Sequence, residues 1–237
     1  MNIHTSVAER KRLKLKVDDF LLLKREGMFS DYIKSELLDG ELFGNRRVED
    51  ESLQTDAIER IKLNIEDYEL LARDGSIGRG SRTELIDGEV YSLSPQYRPH
   101  GFMKDELAYR LRRAIEDLGS PLHVATEQSM AAGRFSEPQP DIMLTSEPRG
   151  EGPIPSSSVA LVCEISDSTV AFDLGEKAGL YSGANIPEYW VVDLNGDTLH
   201  QFWAPGVDGY AERREVALGE PMEAVTINGL AVVTGDI

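Results

Sequence analysis

The sequence predicts an α/β fold, with a central mixed β-sheet flanked by helices and antiparallel strands toward the C-terminus. Three observations carry this. From Glu84 onward the elements read hairpin, helix, three strands, helix, then antiparallel strands, which is not the regular alternation of a doubly wound sheet. Val159 to Ser166 is a near-continuous apolar run, fit for a strand buried on both faces. No GxGxxG, Walker A or GxSxG motif stands where a nucleotide-binding or α/β-hydrolase fold would need one.

The totals bound the function classes. With 237 residues, 41% of them apolar, the chain is long enough for one large or two small domains with a real core. The 25 basic and 42 acidic residues leave a net charge of -17. That balance favours solubility and counts against loose nucleic-acid binding, though not against a local basic groove. Cys163, the single cysteine, excludes a disulfide framework and a zinc knuckle, and its apolar surroundings read as a small buried hydrophobe. The N-terminus lacks an apolar core of a signal peptide, and no stretch approaches the roughly 18 apolar residues of a membrane span. A cytoplasmic location away from membranes is the expectation.

Taken in order, the chain opens on its most basic run, Glu9 to Lys16, which reads as a solvated flank of a helix or strand. An internal repeat follows. Leu15–Leu42 aligns without a gap on Leu63–Val90, an offset of 48 (63 minus 15). Asp19 matches Asp67, Leu22 matches Leu70, Gly27 matches Gly75, and Glu36-Leu37…Asp39-Gly40-Glu41 matches Glu84-Leu85…Asp87-Gly88-Glu89. Each copy reads as a short amphipathic helix closed by glycine, a loop, and a strand entering an Asp-Gly hairpin turn. Gly44–Glu59 is expected to be a partly helical polar connector. Residues 1–61 are read as an N-terminal extension containing the first copy, and residues 62–237 as the main domain.

The second copy leads into the rest. Thr83–Ile86 and Glu89–Ser94 form the hairpin, a loop with Pro95 and Pro99 follows, and a helix runs from about Gly101 to Leu118. Its apolar residues recur at helical spacing, and Lys104, Arg110, Arg112 and Arg113 are assigned to its other face. Leu122–Ala131 reads as a strand, Asp141–Thr145 as another, and Ser146–Ser158 as a loop. Beyond Val159–Ser166, a helix over Asp173–Ala184 precedes strands at Glu188–Leu194, Thr198–Ala204 and Tyr210–Val216. Pro221–Ile237 is expected to end in one or two edge strands.

Asp141 heads a strand directly after Pro140, and Glu164 sits inside the longest apolar run. If those strands are neighbours, two carboxylates meet at one sheet edge. Such a pair repels unless a cation or a partner side chain intervenes. Hard oxygen ligands suit Mg²⁺ or Mn²⁺. A metal site and a structural ion pair are both open on these grounds.

Several separated blocks then carry a resemblance. They are Glu84-Leu85-Ile86-Asp87-Gly88-Glu89, His100, Pro140-Asp141, Glu164-Ile165-Ser166, and Asp173-Leu174-Gly175-Glu176-Lys177 continuing through Tyr181 to Ile186-Pro187-Glu188-Tyr189-Trp190-Val191-Val192-Asp193. In this order and spacing, over roughly residues 63–216, the chain resembles the Uma family of endonucleases within the PD-(D/E)XK nuclease superfamily. The resemblance implies a restriction-endonuclease-like core and a Mg²⁺-dependent endonuclease (Mn²⁺ as an alternative) acting on DNA phosphodiesters. It implies Asp141 and Glu164 as metal ligands with the Ile165 carbonyl as a third oxygen, and Glu84 as an outer metal or water ligand. Where the superfamily places its lysine, two residues after the second acid, this chain has Ser166. The Uma-like pattern moves that role to Lys177, 13 residues after Glu164 (177 minus 164). His100 is a candidate for a proton or phosphate contact, or a helix N-terminal residue. Ser166-Asp167-Ser168-Thr169 lacks the proline usual in such a run. The first repeat copy has Glu36 but no second Asp141, Glu164 and Lys177 set, so it forms no second site; a homodimer contact, a cover for the site and an inert remnant all remain readings of it. The alternative for the whole chain is a catalytically silent nuclease-fold module in assembly or regulation.

Overall fold

The computed structural model describes residues 11–48, 56–80, 82–93 and 95–234. The start of the basic run, the middle of the Gly44–Glu59 connector, Ser94 and the last three residues of the tail lie outside the described residues. Two compact units emerge: one of residues 10–94 together with 134–137, the other of 95–133 and 138–237. The sequence boundary at 61/62 falls inside the first unit, directly after the short strand Glu59–Arg60.

The first unit is the repeat. Copy one comprises β1 (Lys11–Arg12), α1 (Val17–Arg25), β2 (Tyr32–Leu38) and β3 (Glu41–Arg46). Copy two comprises β4 (Glu59–Arg60), α2 (Ile65–Asp74), β5 (Thr83–Ile86) and β6 (Glu89–Ser92). Both helices start the same way: the Asp19 carboxylate accepts from the Lys16 amide at 2.7 Å, and Asp67 from the Asn64 amide at 3.4 Å. Both hairpins turn through two residues of positive φ, Asp39 (47°) with Gly40 (78°) and Asp87 (50°) with Gly88 (81°), the mirror-image turn that matches strand twist. A Cβ at Gly40 would lie 2.4 Å from that of Lys14, and one at Gly88 would lie 2.5 Å from that of Lys62.

The copies are interlocked by exchange. The Leu13 amide donates to the Val90 carbonyl at 2.8 Å, and its counterpart Ile61 donates to the Leu42 carbonyl at 2.8 Å. β1 therefore completes the hairpin of copy two, and β4 that of copy one, giving the sheets β1-β6-β5 and β4-β3-β2. Four charges follow the same symmetry: Arg12 meets Glu89 at 2.6 Å and Glu41 at 3.0 Å, while Arg60 meets Glu89 at 2.6 Å and Glu41 at 3.4 Å. Leu22, Leu23, Leu42, Leu63, Leu71, Leu85 and Val90 from both copies share one core. The symmetry fails at the outer edges. β5 receives residues 134–137, with Leu85 and Glu137 exchanging backbone hydrogen bonds of 3.2 and 2.8 Å and the Gly88 amide reaching the Phe135 carbonyl at 2.7 Å. β2 ends its sheet among the described residues.

The second unit holds α3 (Arg98–Asp117), β7 (His123–Thr126), β8 (Met130–Ala131), β9 (Ile142–Thr145), β10 (Ile154–Pro155) and β11 (Val159–Ser166). There follow α4 (Val170–Phe172), a π-helical turn (Asp173–Lys177), α5 (Ala178–Gly183), β12 (Glu188–Asp193), β13 (Thr198–Gly206), β14 (Gly209–Ala217), β15 (Pro221–Glu223) and β16 (Ala231–Val233). Six strands make one mixed sheet in the order β14-β13-β12-β11-β9-β7, in which β11 and β12 run parallel and the other neighbours antiparallel. Alternation along β11 covers both faces. Leu161, Cys163 and Ile165 pack toward Met103, Leu107, Leu111 and Ile115 of α3. Val162 points the other way, with Met143, Tyr189 and Val191, toward Ala178 and Tyr181 of α5. The expected α/β class, mixed sheet and antiparallel C-terminal strands are present.

Four local expectations change. Helix α3 begins at Arg98 rather than Gly101, because Pro99 is tolerated in a first turn whose amides need no helical partner. Lys104 is not on a solvated face; it is buried and bonded to Gln96 and Glu127. Leu122–Ala131 is broken in two, with Glu127 between β7 and β8 at φ 51°. The connector's described ends are extended rather than helical, since Gly44–Arg46 belongs to β3 and Glu59 to β4.

Candidate active site

Asp141, Glu164, Lys177 and His100 come together in the second unit. β9 and β11 are antiparallel with Ile142 opposite Cys163, so one further step sets Asp141 opposite Glu164 with both side chains on the α5 face. Both are buried. The Asp141 carboxylate is held from three sides: Oδ2 accepts from the Ile165 amide at 2.9 Å, and Oδ1 contacts His100 Nε2 at 3.0 Å and accepts from Gln96 Nε2 at 3.0 Å. Burial pushes this carboxyl up, but the hydrogen bond and charge of His100, the Ile165 amide and the Lys177 ammonium outweigh it and hold the group below its ordinary value. Asp141 is an anion at neutral pH.

Glu164 is gripped by the following helix. Its Oε1 accepts from Lys177 Nζ and from the Tyr181 hydroxyl, each at 2.6 Å. Lys177 closes the π-helical turn, and Tyr181 lies one α-turn further on, so both reach the same oxygen. Such turns widen a helix by one residue. Here the Tyr189 hydroxyl donates to the Asp173 carbonyl at 3.0 Å, and the Asp173 side chain accepts from Ser166 at 2.8 Å and Thr169 at 2.6 Å. Ser166 thus anchors the turn that delivers Lys177. Because an amide and a carbonyl of one strand residue point to the same side, the Ile165 carbonyl is turned toward the Asp141 side.

Glu84 lies in the first unit, fully buried on β5 opposite Tyr91, while its repeat counterpart Glu36 is only partly buried and paired with Lys34. Sequence reasoning missed Gln96, the Lys104–Glu127 pair and Tyr181 as participants. Gln96 carries no local signal, since a proline-rich loop brings it to Asp141. Tyr181 was legible as the i+4 neighbour of Lys177.

The donor chemistry fits a small divalent cation. Two buried carboxylates and a strand-edge carbonyl are hard oxygens, and Asp141 is kept ionised. Burial, and after it Asp141 and Glu164, drive the Cys163 thiol well up, and burial, then Asp173 and Glu164, do the same to the Tyr189 phenol. Among the described residues no group of three or more His, Cys, Asp and Glu side chains is arranged to hold a metal.

The second unit is thus a six-stranded mixed sheet with helices on both faces and two buried acids on neighbouring strands. A family model described as Uma2, putative restriction endonuclease, matches residues 65–233, and the chain belongs to that family. A crystal structure from Anabaena variabilis ATCC 29413, of a putative nuclease belonging to DUF820, aligns with a TM-score of 0.54 over 68% of this chain and 89% of that one. At 14% identity that likeness establishes the fold alone. A search of curated proteins finds no match. Among the described residues no helix is long and apolar enough to cross a membrane.

Proposed function

We propose that the chain is a metal-dependent endonuclease that hydrolyses DNA phosphodiester bonds. One observation carries the reading: two buried carboxylates on neighbouring central strands, one of them bonded to a buried lysine delivered by the next helix. In this reading Asp141, Glu164 and the Ile165 carbonyl hold Mg²⁺ or Mn²⁺, with Glu84 as an outer metal or water ligand. When bound, the cation supplies Lewis-acid charge at the phosphate and acidifies water. Lys177 orients the attacking water and offsets charge growing on the phosphate oxygens. Tyr181 shares the load on Glu164 Oε1, which frees Lys177 to move toward substrate without leaving that oxygen unpaired. His100 and Gln96 orient Asp141, and His100 is in this reading the proton or phosphate contact. The nuclease domain in this reading is residues 62–237.

The test is cleavage of plasmid and single-stranded DNA with Mg²⁺ or Mn²⁺, comparing wild type with Asp141→Ala and Lys177→Ala. Loss of cleavage in both variants supports the proposal, and equal activity in all three proteins rejects it. A second reading, a catalytically silent module, draws on the protein donors that already engage Asp141 and Glu164, together with the net charge of -17. It expects no heat on titrating Mg²⁺ or Mn²⁺. Binding heat that vanishes in Glu164→Ala rejects it.

A further inference from the structure

The two outer strands of the repeat have unequal fates. On β5, Leu85 turns its amide and carbonyl outward and exchanges both with Glu137, while the Gly88 amide takes the Phe135 carbonyl. Their counterparts on copy one are Leu37 and Gly40 (85 and 88 minus 48). In β2, Leu38 opposite Glu41 closes the two-residue hairpin, so alternation turns the backbone of Leu37, and of Ser35 before it, away from β3. This edge has the same strand-receiving geometry that copy two uses, and among the described residues it ends its sheet.

Charge on an edge strand ordinarily discourages pairing. The order Lys34-Ser35-Glu36 has the opposite effect for one particular partner. A two-fold axis through Ser35 sets each Lys34 directly opposite the other chain's Glu36, on the outer face where the two side chains already pair within one chain. Ser35 then exchanges amide and carbonyl with its own copy. Ile33 and Leu38, large apolar residues that are 56% and 51% exposed, flank the crossing at both ends. An unrelated strand would have to match this charge order, whereas a second copy of the chain matches it by symmetry.

We propose that β2 is a homodimer contact, at which two copies of this chain pair antiparallel through Tyr32–Leu38 with Lys34 facing Glu36 twice across a two-fold axis. The proposal is independent of catalysis. It is tested on the full-length protein by sedimentation equilibrium, at concentrations up to about 0.5 mM to capture a small interface. The expected result is a dimer whose dissociation constant rises about tenfold or more in Glu36→Lys and returns to within about threefold of wild type in the Lys34→Glu, Glu36→Lys double variant. Ser35→Pro, which deletes the outward amide at an edge position that tolerates proline, dissociates the dimer while circular dichroism remains unchanged. A wild-type protein that stays monomeric over the whole range, a dimer indifferent to Glu36→Lys, or a charge swap that fails to restore association overturns the proposal.

Discussion

Lys177 reaches back across 13 residues to place its ammonium 2.6 Å from Glu164, deep enough that both side chains are almost wholly removed from water. A buried pair of this kind is asymmetric: losing one partner strands the other. Lys177→Met therefore destabilises the protein by about 3–5 kcal/mol, because Glu164 is left in a dry site without its cation. Lys177→Met combined with Glu164→Gln recovers much of that loss. Urea denaturation of the two variants decides it, with plasmid cleavage expected to be absent in both.

The depressed Asp141 carboxyl gives a pH signature. A group whose folded pKa lies below the unfolded value, about 3.9 for aspartate, contributes stability in full above that value and loses it as pH falls through the folded one. His100→Ala removes the largest of the opposing influences, so the stability that Asp141 contributes at neutral pH, and its loss on acidification, both shrink. Asp141→Asn removes that contribution altogether. Urea midpoints measured from pH 7 to pH 3 on the three proteins separate these outcomes.

Cys163 is predicted to be inert. Its thiol is fully buried and driven up by burial, with the neighbouring carboxylates adding to the effect, so little thiolate exists at neutral pH. Native protein should resist iodoacetamide and react only after unfolding, read by mass spectrometry.

Glu188 anchors the C-terminal segment. Its carboxylate accepts from Trp190 Nε1 at 2.7 Å, from the Val225 and Thr226 amides at 2.9 and 2.8 Å, and from the Thr226 hydroxyl at 2.9 Å. Glu188→Ala leaves the buried Trp190 Nε1 and the less buried Val225 and Thr226 donors without their acceptor and is expected to cost about 2 kcal/mol. Amide exchange should accelerate first around Val225 and Thr226.

The repeat is legible in the sequence because Asp-Gly turns and the glycine after each helix leave fixed marks; Asp141 and Glu164 stand out by their places at and within apolar runs, and Lys177 through the family resemblance. The sequence conceals what depends on distant partners. Glu188 reads as the start of one more strand, since three of its four donors lie 37 and 38 residues away. Lys104 fell on the polar stripe of α3, and only the loop carrying Gln96 and the turn at Glu127 show that this stripe is partly interior. The π-helical turn leaves no periodic trace because it spans a single turn. The pairing of Leu13 with Val90 is backbone chemistry, to which side-chain patterns are blind.

That last pairing bears on where the first unit can be cut. Leu13 and Ile61 each finish the other copy's hairpin, so neither half of the duplication is structurally complete alone. The copies differ in side-chain surroundings, Glu84 being fully buried and Glu36 only partly, yet each sheet takes one strand from the other copy. A cut between the copies leaves both three-stranded sheets one strand short.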